Sequence, residues 1–195
     1  MAFFIIFIVF IIVIIFIFSS PKLSPIPYFP SQSVDLPKII KALNLKNNQT
    51  VFDLGAGDGI VIFSAAKSSY QQKLNTKFIA VEINPVLILV LHLLRLFHPN
   101  RKNIKIVHDD IFKMNYNDFI NFMNFKNFIT IYLYISPWYL EKVIENCIPI
   151  KSGENFSVVS YMYPIKSLRK KPSFAKASKG KEKIIKGKNK IFIYN

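Results

Sequence analysis

The chain has 195 residues, 51% of them apolar, which is enough for one domain and too apolar for a wholly disordered protein. Its single cysteine, Cys147, excludes an intramolecular disulfide framework and a cysteine-rich metal site. The net charge of +15 is concentrated near the C-terminus, because residues 166–195 contain eleven Lys or Arg and one acid. Such a segment could contact anionic lipid or nucleic acid, or be a solvated insertion.

The N-terminal stretch Met1–Phe18 contains no charged residue. As a helix it would be about 27 Å long, close to the roughly 30 Å of a bilayer core, so we expect a transmembrane anchor over residues 1–19. A cleaved signal peptide is the alternative, but the positive n-region and small-residue cleavage site that it needs are poorly supplied. Since basic residues begin at Lys22, after the span, the sequence predicts a single-pass membrane protein with its main domain in the cytoplasm.

Residues 20–34 are rich in proline, with four prolines among the ten residues 21–30. This composition predicts an extended, stiff linker that holds the following domain away from the membrane. The domain itself is expected to cover residues 35–195.

Predicted helices and strands alternate along this domain. The predicted helices are LPKIIKALN, GIVIFSAAKS, VLILVLHLLRLF and WYLEKVIENC. The predicted strands are TVFDL, KFIAVEI, IKIVHD, NFITIYLYI and FSVVSYMY. The alternation indicates an α/β domain with a mostly parallel sheet and helices on both faces.

A glycine-rich stretch, VFDLGAGDGI at residues 51–60, follows the first predicted strand. Glycines this close together indicate a turn that needs bare backbone, at the sheet edge where α/β proteins bind ligands. The spacing G-x-G-x-G differs from the G-x-G-x-x-G of dinucleotide-binding proteins. Asp53, two residues before the first glycine, would repel a phosphate but accept hydrogen bonds from an ammonium group. The pattern therefore indicates a cofactor with an amino acid end.

The segment VFDLGAGDG resembles the first motif of class I S-adenosylmethionine-dependent methyltransferases, which have a Rossmann-like fold. The resemblance implies that this turn binds S-adenosylmethionine through Asp53, Gly55, Ala56, Gly57 and Gly59. It also implies that Glu82, in AVEINP, holds both ribose hydroxyls, since a carboxylate can accept two hydrogen bonds at once.

A third acid follows the third predicted strand, in IVHDDIF. The same resemblance implies that Asp110 binds the adenine amino group and that Ile111 contributes its backbone, with the adjacent Asp109 as the alternative. Each acid alone could instead cap a turn or lie solvated at a strand end. Three acids at the ends of three consecutive strands favour the cofactor site.

The order of several short segments is similar to that of small membrane-anchored protein lysine methyltransferases. These segments are PYFP, DLGAGDGIVIFSAA, VEINP, DIFKM, YISPWYLEKV and KIFIYN. In mitochondria, such enzymes modify the c-subunit of ATP synthase or the adenine nucleotide translocase. The resemblance implies a membrane-associated protein substrate. A Lys-rich segment at about residues 166–190 departs from this pattern and looks like an insertion.

Methyl transfer from a sulfonium requires alignment and desolvation rather than a nucleophilic side chain. A lysine acceptor must lose its proton, which a pocket with aromatic walls and little water favours. The candidates for these catalytic walls are Tyr28, Trp138 and Tyr139, although each could serve packing alone. The three histidines are too scattered to suggest a metal site.

Other acceptors stay open. SPWY, residues 136–139, resembles the S/N/D-P-P-Y/W motif of enzymes that methylate exocyclic amines of nucleic-acid bases, but it lacks the second proline. A small-molecule or lipid acceptor is a further alternative, because the apolar helix VLILVLHLLRLF could bring the site to a bilayer. The last alternative is a non-catalytic, methyltransferase-like membrane adaptor.

Overall fold

A computed structural model describes residues 1–114, 128–147, 156–170 and 182–194. The helices within these ranges are α1 (Ala2–Ser19), α2 (Leu36–Leu43), α3 (Ile60–Gln71), α4 (Pro85–Phe97), α5 (Pro137–Cys147) and α6 (Lys166–Lys170). The strands are β1 (Gln49–Leu54), β2 (Lys77–Glu82), β3 (Ile104–His108), β4 (Phe128–Leu133), β5 (Phe156–Tyr161), β6 (Lys183–Lys186) and β7 (Lys190–Tyr194).

The strands form one sheet in the order β3-β2-β1-β4-β5-β7-β6. Strands β1 to β5 are parallel, and β7 runs antiparallel to both β5 and β6. The chain changes direction across the sheet between β1 and β4, which is the switch point where open α/β sheets bind ligands. The predicted Rossmann-like fold with a mostly parallel sheet is confirmed.

The core lies on both faces of this sheet, because the inner strands are buried along their whole length. All six residues of β1 are buried. Two consecutive residues of this strand, Val51 and Phe52, pack into separate apolar clusters on opposite faces of the sheet. Continuous apolar runs are typical of parallel strands that are covered by helices on both sides. This burial is the reason that β1, β2, β4 and β5 could be predicted from sequence, whereas the edge strand β3 is only partly buried.

The Lys-rich range 166–190 contains regular structure that the sequence did not predict. Both α6 and β6 lie within it, and β6 pairs with β7 at the edge of the sheet. Three of the four β6 residues are exposed, so the strand lacks the apolar pattern that identifies inner strands. The centre of the predicted insertion, residues 171–181, lies outside the described residues.

The expected transmembrane anchor is not supported. Among the residues that the structure describes, no helix has the length and apolar character needed to cross a membrane.

The segment between α1 and α2 also differs from the expected linker, because it lies against the domain. Ile26 packs on one apolar cluster, and the buried Ser31 forms a 2.8 Å hydrogen bond with the Tyr132 hydroxyl of β4. At the end of this segment, the buried Asp35 carboxylate accepts hydrogen bonds from the Tyr161 hydroxyl and from the Asn189 amide, both at 2.8 Å. The segment is thus fixed to the carboxyl end of the sheet and to the β6–β7 turn.

Candidate active site

The turn between β1 and α3 reaches across to β2. The amides of Gly55 and Ala56 both donate hydrogen bonds to the Val81 carbonyl at 2.9 Å. The three glycines of the turn have φ angles of +81°, +59° and +78°, in the left-handed region that side chains rarely adopt. The strand therefore leads into a tight turn whose backbone is open to a ligand.

Two of these glycines also lie too close to neighbours for a side chain. A Cβ atom on Gly57 would lie 2.9 Å from Cε2 of Tyr28. On Gly59, a Cβ would lie 2.6 Å from Leu91 and from Phe63, which are helix residues. Gly57 thus faces the segment before the domain, whereas Gly59 permits packing at the start of α3.

Glu82 joins the end of β2 to the glycine turn. One carboxylate oxygen, Oε2, accepts a hydrogen bond from the Gly57 amide at 2.8 Å. The other, Oε1, accepts from the amides of Ile83 and Asn84 at 2.9 Å. The side chain is buried and held in one orientation, which suits its expected role towards the ribose.

Asp53 is buried beneath the turn with 3% of its surface exposed. Burial, together with the nearby carboxylates of Glu82 and Asp58, raises its pKa to about 8, while the Ile62 amide acts in the opposite direction. A cation stabilises the charged form of an acid that is buried among other acids. These carboxylates therefore fit the ammonium group of S-adenosylmethionine.

The acids after β3 differ in their surroundings. Asp110 is half-buried, accepts a hydrogen bond from the Phe112 amide at 3.0 Å and lies 3.4 Å from the Lys113 ammonium. Asp109 is exposed and accepts from the Asp110 amide at 2.7 Å. Asp110 therefore caps the following turn, which is the non-catalytic role considered for it above. Both Asp109 and Asp110 line the cleft with the buried Ile111, so either acid can still meet the adenine.

A single cleft brings together most of the predicted cofactor residues. It is lined by Asp53, Gly55, Ala56, Gly57, Glu82, Asp110 and Ile111. Gly59 is the exception and lies in the packing layer behind the turn. The cleft opens at the carboxyl ends of β1, β2 and β3, where the acids were expected to meet.

The segment 24–31 forms another wall of this cleft, which sequence reasoning missed except at Tyr28. Tyr28 lies over Gly57, and burial together with a hydrogen bond to the Asp58 carboxylate raises its pKa well above the usual value. The PYFP segment carried the only sequence signal for this wall. Its prolines, however, predicted a linker equally well.

A second pocket adjoins the cleft and has aromatic walls. Its aromatic lining residues are Phe29, Tyr134, Trp138 and Tyr163. Phe29 and Tyr134 line both cavities, so the two pockets share a wall. Trp138 reaches the second pocket with 83% of its surface exposed.

The three aromatic residues proposed as catalytic walls are separated in the structure. Tyr28 lines the cofactor cleft and Trp138 lines the second pocket. Tyr139 lines neither and packs its ring against Phe112, with 5.2 Å between ring centroids. Tyr139 thus lies apart from both pockets, because the helical turn of α5 directs it away from Trp138, and its role as a catalytic wall stays a prediction.

A family model described as Ribosomal RNA adenine dimethylase matches residues 28–160, about two thirds of the chain. The matched range includes the glycine turn, the three acids and the SPWY segment. No curated protein sequence matches the chain.

Solved structures of methyltransferases share the fold. An RNA methyltransferase from Salinibacter ruber in complex with S-adenosyl-L-homocysteine has a TM-score of 0.56 and 16% identity, over 85% of this chain and 91% of that one. The 23S rRNA methyltransferase ErmE has a TM-score of 0.54 and 13% identity, over 86% and 69%. Precorrin-6y C5,15-methyltransferase from Geobacter metallireducens has a TM-score of 0.51 and 16% identity, over 86% and 92%.

At these identities the likeness concerns the fold alone, and the names of the three proteins cover both RNA and precorrin methyltransferases. Neither the family match nor these structures support the protein lysine subtype that the order of segments implied.

Proposed function

The chain belongs to the ribosomal RNA adenine dimethylase family, and on this premise we propose that it methylates an exocyclic amine of an RNA base. It is an S-adenosylmethionine-dependent methyltransferase, like the other members of that family. The cofactor supplies an electrophilic methyl group, and the residues around the cleft bind and orient it. Asp53 and Glu82 would hold its ammonium and ribose groups, and Asp110 its adenine.

The observation that carries the RNA proposal is the aromatic pocket next to the cofactor cleft, in a chain of this family. A base that leaves its stack can be held between aromatic faces, and stacking of this kind contributes about 1–3 kcal/mol per base. Phe29, Trp138 and Tyr163 offer such faces. The net charge of +15 favours a polyanionic partner.

Ser136 supports the same acceptor. It lines the aromatic pocket and occupies the first position of the SPWY segment, where enzymes that methylate base amines carry Ser, Asn or Asp. An amine that is being methylated must remain oriented towards the methyl donor, and a hydroxyl acceptor of its N–H can provide this orientation. This chain has Trp138 at the position where that motif has its second proline.

A lysine side chain is the second candidate acceptor, and the low polarity of the same pocket favours it. Its described lining residues are aromatic, aliphatic or proline apart from Ser136, and none is an acid. Such surroundings disfavour the ammonium form and so help a lysine to lose its proton. A protein substrate at a membrane, as the sequence first suggested, belongs to this second candidate.

The test uses the full chain with S-adenosylmethionine labelled on its methyl group, and offers ribosomal RNA and total protein in parallel. We expect the label in RNA, recovered after nuclease digestion as a methylated nucleoside. Trp138→Ala should reduce this labelling by at least about tenfold, since it removes one stacking face, while binding of S-adenosylhomocysteine is retained. Tyr70→Ala, which removes an exposed aromatic side chain of α3, is the matched control and should leave labelling unchanged.

Label recovered only as methyl-lysine would replace the RNA proposal by the second candidate. Label in neither fraction, with S-adenosylhomocysteine bound normally, would overturn both acceptors and leave the cofactor site intact.

A further inference from the structure

Helix α4 carries an exposed apolar face that the proposed function does not use. Its exposed large side chains are Leu89, Leu93, Leu94, Leu96 and Phe97, whereas only Leu87 and Leu91 are buried. Phe97 has 84% of its surface exposed. Contiguous apolar surface of this extent marks an interaction site in a folded protein.

The surroundings of this face are basic. Residues 83–108, which contain α4 and β3, include Arg95, Arg101, Lys102 and Lys105 but no Asp or Glu. Arg95 and Arg101 are held by hydrogen bonds to backbone carbonyls, at 2.7 and 3.1 Å, near the end of the helix. Their positive charges are therefore fixed beside Leu96 and Phe97.

The apolar surface continues onto a second element, because α1 contacts α4. The side chains of α1 are apolar except for Ser19, and most of its large apolar residues are exposed, for example Phe3 at 89% and Phe16 at 67%. The combination of exposed Leu and Phe with fixed cations and no acid is typical of surfaces that lie in the interface of an anionic bilayer.

We propose that the exposed face of α4 docks on an anionic lipid surface, with Leu93 and Phe97 entering the interface and the basic residues meeting the headgroups. An RNA partner would need the cations but not five exposed apolar side chains. The first turn of α4 lines the cofactor cleft through Leu87, so this docking would hold the active site near the membrane. The inference concerns a surface outside the catalytic pocket and does not depend on the identity of the methyl acceptor.

The test measures where α4 lies, since α1 alone could bind vesicles. In a full-length Cys147→Ser background, a fluorophore is attached at Phe97→Cys or, as control, at Ile184→Cys. Ile184 is an exposed apolar residue of β6, at the opposite edge of the sheet from β3. With vesicles that contain phosphatidylglycerol and brominated lipid, we expect quenching at position 97 but not at position 184.

Affinity provides the second measurement. The double variant Leu93→Ser with Phe97→Ser should bind anionic vesicles at least about tenfold more weakly, because two large apolar side chains no longer leave water. Ile184→Ser should bind as the parent does. Replacing phosphatidylglycerol by phosphatidylcholine should weaken binding of the parent, and so should added salt.

Four outcomes would overturn the proposal. They are equal quenching at positions 97 and 184, equal binding of neutral and anionic vesicles, a change in the fluorescence at position 97 on self-association without lipid, and the same change on addition of RNA alone. Catalytic labelling of RNA or protein in solution would be unaffected by any of them, so this inference and the proposed function fail separately.

Discussion

The amide of Gly57 donates a hydrogen bond to the Glu82 carboxylate at 2.8 Å, across the gap between the ends of β1 and β2. This bond joins the glycine turn to the acid that we expect to bind the ribose. The same carboxylate also accepts from Ile83 and Asn84. Glu82 therefore shapes the turn as well as facing the cofactor.

We predict that Glu82→Ala weakens S-adenosylhomocysteine binding by at least about a hundredfold and lowers the free energy of unfolding by about 1–3 kcal/mol. The first effect follows from the loss of two oxygen acceptors for the ribose, and the second from buried amides that lose their partner. Titration calorimetry and urea unfolding measure the two effects.

Glu141→Ala is the matched control for this variant. The Glu141 carboxylate also accepts hydrogen bonds from backbone amides, those of Lys166 and Ser167, but it lies outside the cofactor cleft. Its replacement should lower stability with little effect on binding. A Glu82→Ala protein that binds the ligand as tightly as the parent would show that the cofactor site is assigned wrongly.

A second prediction concerns the contact between Gly57 and Tyr28. Gly57→Ala should lower stability by about 1–2 kcal/mol, since the added Cβ disfavours the φ of +59°. It should also weaken cofactor binding, because the Cβ would press on the Tyr28 ring.

Adding Tyr28→Ala separates these two effects of Gly57→Ala. If the steric contact matters, the double variant should lose less stability than the sum of the two single variants, as measured by urea unfolding. Strict additivity would show that only the backbone conformation is affected.

The sequence was informative where local pattern and burial coincide. Strands β1, β2, β4 and β5 are mostly buried, apolar runs because both faces are covered. Asp53 and Glu82 lie at the carboxyl ends of β1 and β2, and Asp110 follows β3 at the same edge of the sheet. Parallel strands align their carboxyl ends, so a shared cleft followed from the predicted order alone.

Features that depend on contacts between distant residues could not be predicted in this way. The docking of segment 24–31 depends on Ser31 meeting Tyr132, which is 101 residues away, and its prolines are equally typical of a free linker. Strand β6 depends on pairing with β7, since its own lysines and isoleucines lie largely in solvent. Tyr139 shows the same limit, because its position one residue after Trp138 places it on another face of α5.

The third prediction concerns the pH dependence that arises from Asp53. Its pKa of about 8 lies above the usual 3.8, so the folded protein keeps a proton that the unfolded chain releases. Stability should therefore fall as the pH rises between about 4 and 8, by up to about 1.4 kcal/mol per pH unit. Asp53→Asn, which is neutral throughout, should become progressively more stable than the parent between pH 5 and pH 8 in urea unfolding.

Asp35→Asn is the control for this pH dependence. Burial raises the pKa of Asp35, but hydrogen bonds from Asn189, Tyr161 and Lys188 outweigh it and leave the pKa below the usual 3.8. The stabilisation by this group is lost only as the pH falls below about 4, so Asp35→Asn should lower stability equally at pH 5 and pH 8. A constant difference between Asp53→Asn and the parent over that range would contradict the raised pKa of Asp53.

The last prediction concerns the hydrogen bond that holds segment 24–31 over the cleft. Tyr132→Phe leaves the buried Ser31 hydroxyl without its 2.8 Å partner, and it should lower stability by about 1–3 kcal/mol. Because the segment lines the cleft, the variant should also bind S-adenosylhomocysteine more weakly and be cleaved faster by chymotrypsin after Tyr28. Calorimetry and timed digestion measure these effects.

The double variant Ser31→Ala with Tyr132→Phe removes both polar groups, so part of the lost stability should return. Cofactor binding should stay weak in this variant, because the segment remains unfastened. If Tyr132→Phe instead kept the parent's affinity and protease resistance, the hydrogen bond would not be what fixes the segment. Its apolar contacts, such as that of Ile26 with the core, would then carry that role.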